Sequence, residues 1–299
     1  MRQVLFPDKY KLERLVEEAG IGRSELARLL QVSYKTVYRW LDKGVKPHLS
    51  QSRDIDALFK EHIDLSDCVH KLRRGLPDPI AILKKNEKVR NKFFILMTYN
   101  SNAIEGSRMT LKETERAING EKIKGKGLFE ELEAINHYNA LLYMLDELRP
   151  GYKITEEYIL RLHSLVMYNF NNKLPGKYRT GFVNLTNTDK QLPSAQRVPI
   201  NMHQFIKTIN VFRDDILKKV SRDHYEFESI HPFFDGNGRV GRLIMIAQLL
   251  SKGYPPAIIE YEDRYKYYLA LSKGDMGDFK NLVQMVCDSV VKGYNFLFA

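Results

Sequence analysis

The chain has 299 residues, 43% of them hydrophobic and 28% charged, which is ordinary globular composition and enough length for one large domain plus a small one. No apolar run approaches the length needed to span a bilayer; the longest beside a helical pattern, 243–250, has eight residues. The net charge of +10 fits a polyanionic partner. The first eight residues, Met1-Arg2-Gln3-Val4-Leu5-Phe6-Pro7-Asp8, lack an apolar segment and a small-residue cleavage site, so no secretory leader is expected there. Cys68 and Cys287 are too few for a disulfide frame or a zinc site, and a reducing cytoplasmic compartment is the expectation.

Residues 12–48 carry the first pattern. Ser24 is placed to cap a helix over 25–30. Val32-Ser33 breaks it, and a second helix follows with Val37, Trp40 and Leu41 on one face and Tyr34, Lys35, Tyr38 and Arg39 on another, until Gly44 stops it. Two short helices with a tight turn between them read as a helix-turn-helix. The stretch resembles the DNA-binding helix-turn-helix of phage-repressor-like regulators, with Ala27, Val32, Val37 and Trp40 at the packing positions. Arg23, Arg28, Lys35, Arg39, Lys43 and Lys46 outnumber Glu25 and Asp42 here, as phosphate attraction requires. Lys35, Thr36, Tyr38 and Arg39 are the DNA-contact candidates, the last three for base edges. The plain alternative is a three-helix packing module.

Pro77 and Pro79 cannot continue a helix, so a boundary is expected near 76, giving a small domain over 1–76 and a large one over 77–299. Helical periodicity recurs over 80–104, 128–148, 159–167 and 205–216. Thr110-Leu111-Lys112-Glu113 predicts a capping box opening a short helix that Gly120 ends. One hairpin is expected, with arms at 181–185 and 197–200. The fold class is mainly α.

The chemistry concentrates in His231-Pro232-Phe233-Phe234-Asp235-Gly236-Asn237-Gly238-Arg239-Val240-Gly241-Arg242. Gly236 and Gly238 permit a turn that bares backbone amides at a helix start, which is an anion site. Arg239 and Arg242, three apart, share a helix face and suit two neighbouring phosphates. Asp235 is a hard oxygen ligand suited to Mg²⁺, and His231 is the group able to take a proton near neutral pH. The same glycines match the dinucleotide G-x-G-x-x-G, but the preceding 223–230 is polar and helical where that motif needs an apolar strand.

This stretch resembles the signature of the Fic family, H-x-F-x-D/E-G-N-G-R-x-x-R, at every defined position: His231, Phe233, Asp235, Gly236, Asn237, Gly238, Arg239 and Arg242. The resemblance runs from about residue 79 to the C-terminus and implies a helical bundle with a short hairpin flap. It implies transfer of AMP from ATP to a Ser, Thr or Tyr hydroxyl of a target protein. His231 would be the base, and Asp235 would hold Mg²⁺. Asn237, the amides around Gly236 and Gly238, and Arg239 would hold the α- and β-phosphates, and Arg242 the γ-phosphate.

Ser101-Asn102-Ala103-Ile104-Glu105-Gly106, at the end of a helix expected to begin near 80, is similar to the family's inhibitory motif S/T-x-x-x-E-G/N. The similarity implies that Glu105 pairs with Arg242 and withholds it from ATP; the plain alternative is a surface glutamate at a glycine-closed helix end. Residues 182–199 match the family's target-docking flap by position, Gly176-Lys177-Tyr178-Arg179 before them also looks family-like, and Tyr267 and Tyr268 match its adenine or ribose wall. Two alternatives stay open: an enzyme that removes AMP, and a DNA-bound regulator whose Fic domain senses ATP. Dimerisation is a family property that no residue of this sequence carries.

Overall fold

The computed structural model describes residues 6–170, 175–184, 190–212 and 215–298. Two compact units divide at residues 72 and 73.

The first unit holds α1 (Asp8–Glu17), α2 (Arg23–Leu29), α3 (Tyr34–Asp42), α4 (Leu49–His62) and most of α5 (Leu65–Arg73). Leu12 and Leu15 of α1, Leu26 and Ala27 of α2, and Val37, Trp40 and Leu41 of α3 are buried together with Ile55 and Phe59 of α4. Ser33 caps α3 by accepting the Thr36 N–H at 3.1 Å. Gly44, at φ 65°, closes it. Ser24 does not cap α2. The helix begins two residues earlier than expected, at Arg23 behind Gly22, and Ser24 lies inside its first turn.

The second unit holds α6 (Pro79–Lys85), α7 (Glu87–Ile104), α8 (Leu111–Ile118), α9 (Leu128–Glu147), α10 (Glu156–Val166), α11 (Val198–Ile209), α12 (Ile216–Ile230), α13 (Asn237–Ser251), α14 (Arg264–Gly274) and all but the last residue of α15 (Lys280–Phe298). The predicted capping box is formed, with Thr110 Oγ1 accepting the Glu113 N–H at 3.2 Å. The helix expected to run unbroken from 80 is two helices. Asn86 leaves the helical conformation, and its side chain accepts the Val89 N–H to start α7.

No strand occurs among the described residues. The expected hairpin is absent: 182–184 are irregular, Leu185 and the rest of 185–189 lie outside the described residues, and the second arm opens α11 instead. Pro199 falls in the first turn of that helix, where its fixed φ and missing N–H cost nothing. The 205–216 helix is accordingly shifted towards the N-terminus. It ends where the Asn210 side chain leaves for Ile154, bonding its backbone N–H and C=O at 2.9 and 2.8 Å.

α13 is the central element. Every residue but Gly238 is buried, because α7, α9, α10 and α12 pack around it. A helix that is apolar or engaged on all sides belongs in a core, and α13 carries residues 243–250 there. Its N-terminus opens on a cavity.

Candidate active site

The turn between α12 and α13 is built by its own side chains. His231 ends α12 in the left-handed region, φ 48° and ψ 61°, which costs a non-glycine residue about 1–2 kcal/mol. Arg179, fully buried, holds it there. Its N–H donates to Pro232 O at 2.8 Å, its Nε to His231 O at 2.8 Å, its Nη1 to Gly181 O at 3.0 Å and its Nη2 to Pro193 O at 2.5 Å. Burial, reinforced by the Arg179 cation, lowers the His231 pKa, so its imidazole is neutral at pH 7 and able to accept a proton.

Phe233 is buried and stacks on His163 of α10, ring centroids 3.6 Å apart at 3°. His163 accepts the Gly176 N–H at Nδ1, 2.9 Å, so Nε2 carries the proton it shares with Asp235 O at 3.1 Å. Burial lowers its pKa to about 4, which keeps this single neutral tautomer. Asn237 closes the turn. Its Oδ1 accepts the Phe233 N–H and its Nδ2 donates to Phe233 O, both at 2.9 Å. The buried Asn237 side chain, which the resemblance assigns to the phosphates, here bridges the loop to itself.

Gly236, at φ 78°, starts α13. Gly238 is the close-approach position, since a Cβ there would stand 2.1 Å from Glu105 Oε1. A carboxylate therefore lies over the first turn of α13, where free amides and the helix dipole favour an anion.

The two arginines are both buried and both paired. Arg242 donates from Nε to Ser101 Oγ at 2.9 Å, and from Nη2 to Ser101 O at 2.9 Å and to Glu105 Oε1 at 2.7 Å. Burial alone would lower its pKa, but the Glu105 carboxylate overrides that and raises it. Its Nη1 is buried without a partner. Arg239 donates to Glu133 Oε1 of α9 at 3.0 Å and to Asp235 Oδ1 at 3.1 Å, an engagement the sequence did not foresee. α7 aims Glu105 because Gly106 turns left-handed at φ 105° and the Ser107 N–H returns to Asn102 O.

Asp235, largely exposed, uses Oδ1 for Arg239 and for the Gly236 N–H at 2.5 Å. No cluster of three His, Cys, Asp or Glu occurs among the described residues. One exposed carboxylate suits Mg²⁺, which takes one or two protein oxygens and completes its shell with phosphate and water.

The cavity, about 310 Å³, is lined by Glu105, His231, Arg242, Tyr267 and Tyr268 together with Glu228 of α12. That volume is at the lower end for a small-molecule site. Tyr267 is buried, its hydroxyl 2.8 Å from His224 Nε2, while Tyr268 donates to Ile104 O at 3.0 Å, beside Glu105. Lys190 lines the same cavity and bonds Tyr225 Oη, Ser229 Oγ and Asp275 Oδ1, at 2.7, 2.6 and 2.6 Å.

The model of the Fic/DOC family matches residues 153–249, which include the whole His231 to Arg242 turn. The chain belongs to the Fic/DOC family. Among its Fic relatives, "Protein adenylyltransferase Fic" of Nematostella vectensis is 31% identical over 220 residues, 70% of this chain and 49% of that protein. The protein of the same name from Drosophila erecta is 31% identical over 209 residues, 69% of this chain and 42% of its own length. This chain thus spans about half the length of these relatives or less. Fic-1 from C. elegans superposes with a TM-score of 0.66 at 24% identity over 96% of this chain and 86% of that one, a likeness of fold. A Fic family protein from Desulfovibrio desulfuricans gives 0.59 at 27% identity over 70% and 65%.

His231, Gly236, Asn237, Gly238, Arg242, Tyr267, Tyr268 and Glu105 meet at this Fic cavity, with Asp235 at its rim and Ser101 behind Arg242. Sequence reasoning missed His163, Glu133, Glu228 and Lys190, and left Arg179 without a role. His163, Glu133, Lys190 and Arg179 each reach the site through a residue at least 39 positions away, and Glu228 meets Gly241 across 13 positions, so the motif's own spacing marks none of them.

Lys35, Tyr38 and Arg39 are exposed on α3 of the first unit. Thr36 is half-buried, its Oγ1 2.8 Å from Ser33 Oγ within the helix cap. Among the described residues no helix is long and apolar enough to cross a membrane.

Proposed function

We propose that this protein transfers AMP from ATP to a hydroxyl group of a target protein, and that Glu105 holds the activity down. The observation that carries this reading is the 2.7 Å pair between Glu105 and Arg242 on the cavity that His231 also lines. The names of the curated relatives support the same chemistry.

His231 takes the proton of the target hydroxyl. The hydroxyl oxygen forms a bond to the α-phosphorus, and the bond from that phosphorus to its bridging oxygen breaks, releasing pyrophosphate. Arg242 holds the γ-phosphate, and the amides of Gly236, Asn237 and Gly238 face the inner phosphates. Arg239, already tied to Asp235, adds charge beside them. Mg²⁺ held by Asp235 would supply charge neutralisation between the phosphates. Tyr267 and Tyr268 wall the nucleoside end, and the target approaches along 182–184, of which Val183 and Asn184 line the cavity. While Glu105 occupies Arg242, the γ-phosphate has no cation to seat on and meets a carboxylate instead.

The test is labelling with Mg²⁺ and ATP carrying label at either the α- or the γ-phosphate, using the wild-type protein, Glu105→Gly and Glu105→Gly/His231→Ala. Label from the α-position alone, strong in Glu105→Gly and lost in the double variant, is the expected result. Label from the γ-position, or none, rejects AMP transfer; release of AMP from a pre-modified target by the wild-type protein would point to the reverse reaction.

For the first unit, the exposed cations of α3 support binding to duplex DNA through Lys35, Tyr38 and Arg39, with Thr36 confined to the cap. Phosphate-driven binding weakens steeply with salt. Fluorescence anisotropy with duplex DNA should show binding at 50 mM salt that falls by at least about ten-fold at 200 mM. No binding at low salt rejects it.

A further inference from the structure

Glu228 is a carboxyl the reaction above does not use. It sits on α12 one turn before His231 and lines the nucleotide cavity. Its Oε1 is shut from solvent and has no hydrogen-bond partner. Leaving a buried polar atom without a partner is costly, and native proteins rarely keep one without a use. Room for it is made by Gly241, where a Cβ would stand 2.4 Å from Glu228 Oε1. The next residue is Arg242, whose Nη1 is also buried without a partner, as is His231 Nδ1, and all three residues line the cavity.

The groups around Glu228 come from four elements. α13 contributes Arg242, the end of α7 contributes Glu105, and α14 contributes Tyr267 and Tyr268. His224 and His231 lie on its own helix, both with pKa values lowered by burial and so neutral near pH 7. Burial raises the Glu228 pKa to about 8, with Glu105 adding to the rise and Arg242 opposing it. The carboxyl is therefore mostly protonated at neutral pH, a donor rather than an anion.

We propose that Glu228, in its protonated form, donates a hydrogen bond to the terminal phosphate of ATP and shares that phosphate with Arg242. The inference rests on the AMP-transfer reading, because it needs the triphosphate at Arg242. An ionised Glu228 would repel the same phosphate, so the contact exists only while the proton is present. Binding of ATP then retains that proton. Above the Glu228 pKa of the free protein, the complex must take one up.

Calorimetry with Mg²⁺ and ATP on Glu105→Gly, in two buffers of different ionisation enthalpy at pH 7.5 and 9, reads this directly. Near pH 9 ATP itself no longer titrates. Glu105→Gly should take up close to one proton at pH 9, and its Kd should be about ten-fold weaker there than at pH 7.5. Glu105→Gly/Glu228→Gln keeps a donor and cannot ionise, so its Kd should hold constant and its proton uptake vanish. Glu105→Gly/Glu228→Leu should bind ATP about ten-fold more weakly at pH 7.5, as loss of a phosphate hydrogen bond predicts, with no change for ADP. Equal proton uptake in the Gln variant, or the same uptake on binding ADP, overturns the proposal. Failure of Glu105→Gly to bind ATP at all would remove the nucleotide reading and this contact together.

Discussion

The α12–α13 turn and the described residues between 176 and 198 line one cavity and are held by opposite means. The turn is closed locally: Asn237 bonds Phe233 in both directions, Gly236 sets the helix start, and Asp235 bonds Gly236. The 176–198 segment has no regular structure before residue 195 among its described residues. Two cationic side chains fasten it, Arg179 to His231 O, Gly181 O and Pro193 O, and Lys190 to Tyr225, Ser229 and Asp275. Chemistry that sits within a dozen residues can be written as a motif. Support that arrives from up to 85 residues away cannot.

The comparison breaks most readily at Arg179, where the two regions meet. Arg179→Met leaves three carbonyls without their donor and frees His231 to leave its left-handed conformation. AMP transfer in a Glu105→Gly background should fall about 100-fold, with a lower melting temperature, because misplacement by an ångström is enough for such a loss. A variant that keeps full rate would mean the turn holds His231 by itself.

Lys190→Met sharpens the same contrast. Lys190 anchors the segment without touching the turn, so KM for the target should rise several-fold while the melting temperature stays within a few degrees; its partly exposed ion pair is worth about 1 kcal/mol or less. An effect on kcat as large as that of Arg179→Met would erase the distinction between them.

A smaller effect concerns the turn's underside. His163, His137 and His224 have pKa values lowered to about 4, 3 and 3, chiefly by burial. Each is neutral when folded and charges at its ordinary value of 6.5 when unfolded. The unfolded state therefore binds more protons below pH 6.5, and stability falls with pH from there down towards 4. The slope is about 1 kcal/mol per pH unit for each histidine that stays neutral. Denaturant melts at pH 7 and 5 should show the loss, and His163→Gln should reduce it.

Most of the fold was legible in the sequence, and so were the residues of the turn. Periodicity located α9 and α10 closely, because their apolar faces meet α13 and each other. It misread 197–200, where Val198-Pro199-Ile200 has strand-like residue types but Pro199 serves a helix start. It ran α6 and α7 together because Asn86 breaks the backbone without interrupting the apolar pattern. At the site, residue types identified what His231, Asp235 and the glycines can do. They did not reveal that Arg239 is tied to Glu133, that Asn237 is turned inward, or that His163 supports Phe233.

The central claim is that Glu105 and the γ-phosphate compete for Arg242. Its most direct test is the initial rate of α-phosphate labelling in the wild-type protein, Glu105→Gly and Glu105→Gly/Arg242→Ala at saturating Mg²⁺ and fixed ATP. The account predicts a rise of at least about ten-fold in Glu105→Gly, from removing a carboxylate that ties up a buried cation, and a return to the wild-type rate or below when Arg242 is also gone. A Glu105→Gly rate equal to wild type, or a double variant as fast as the single one, would contradict it.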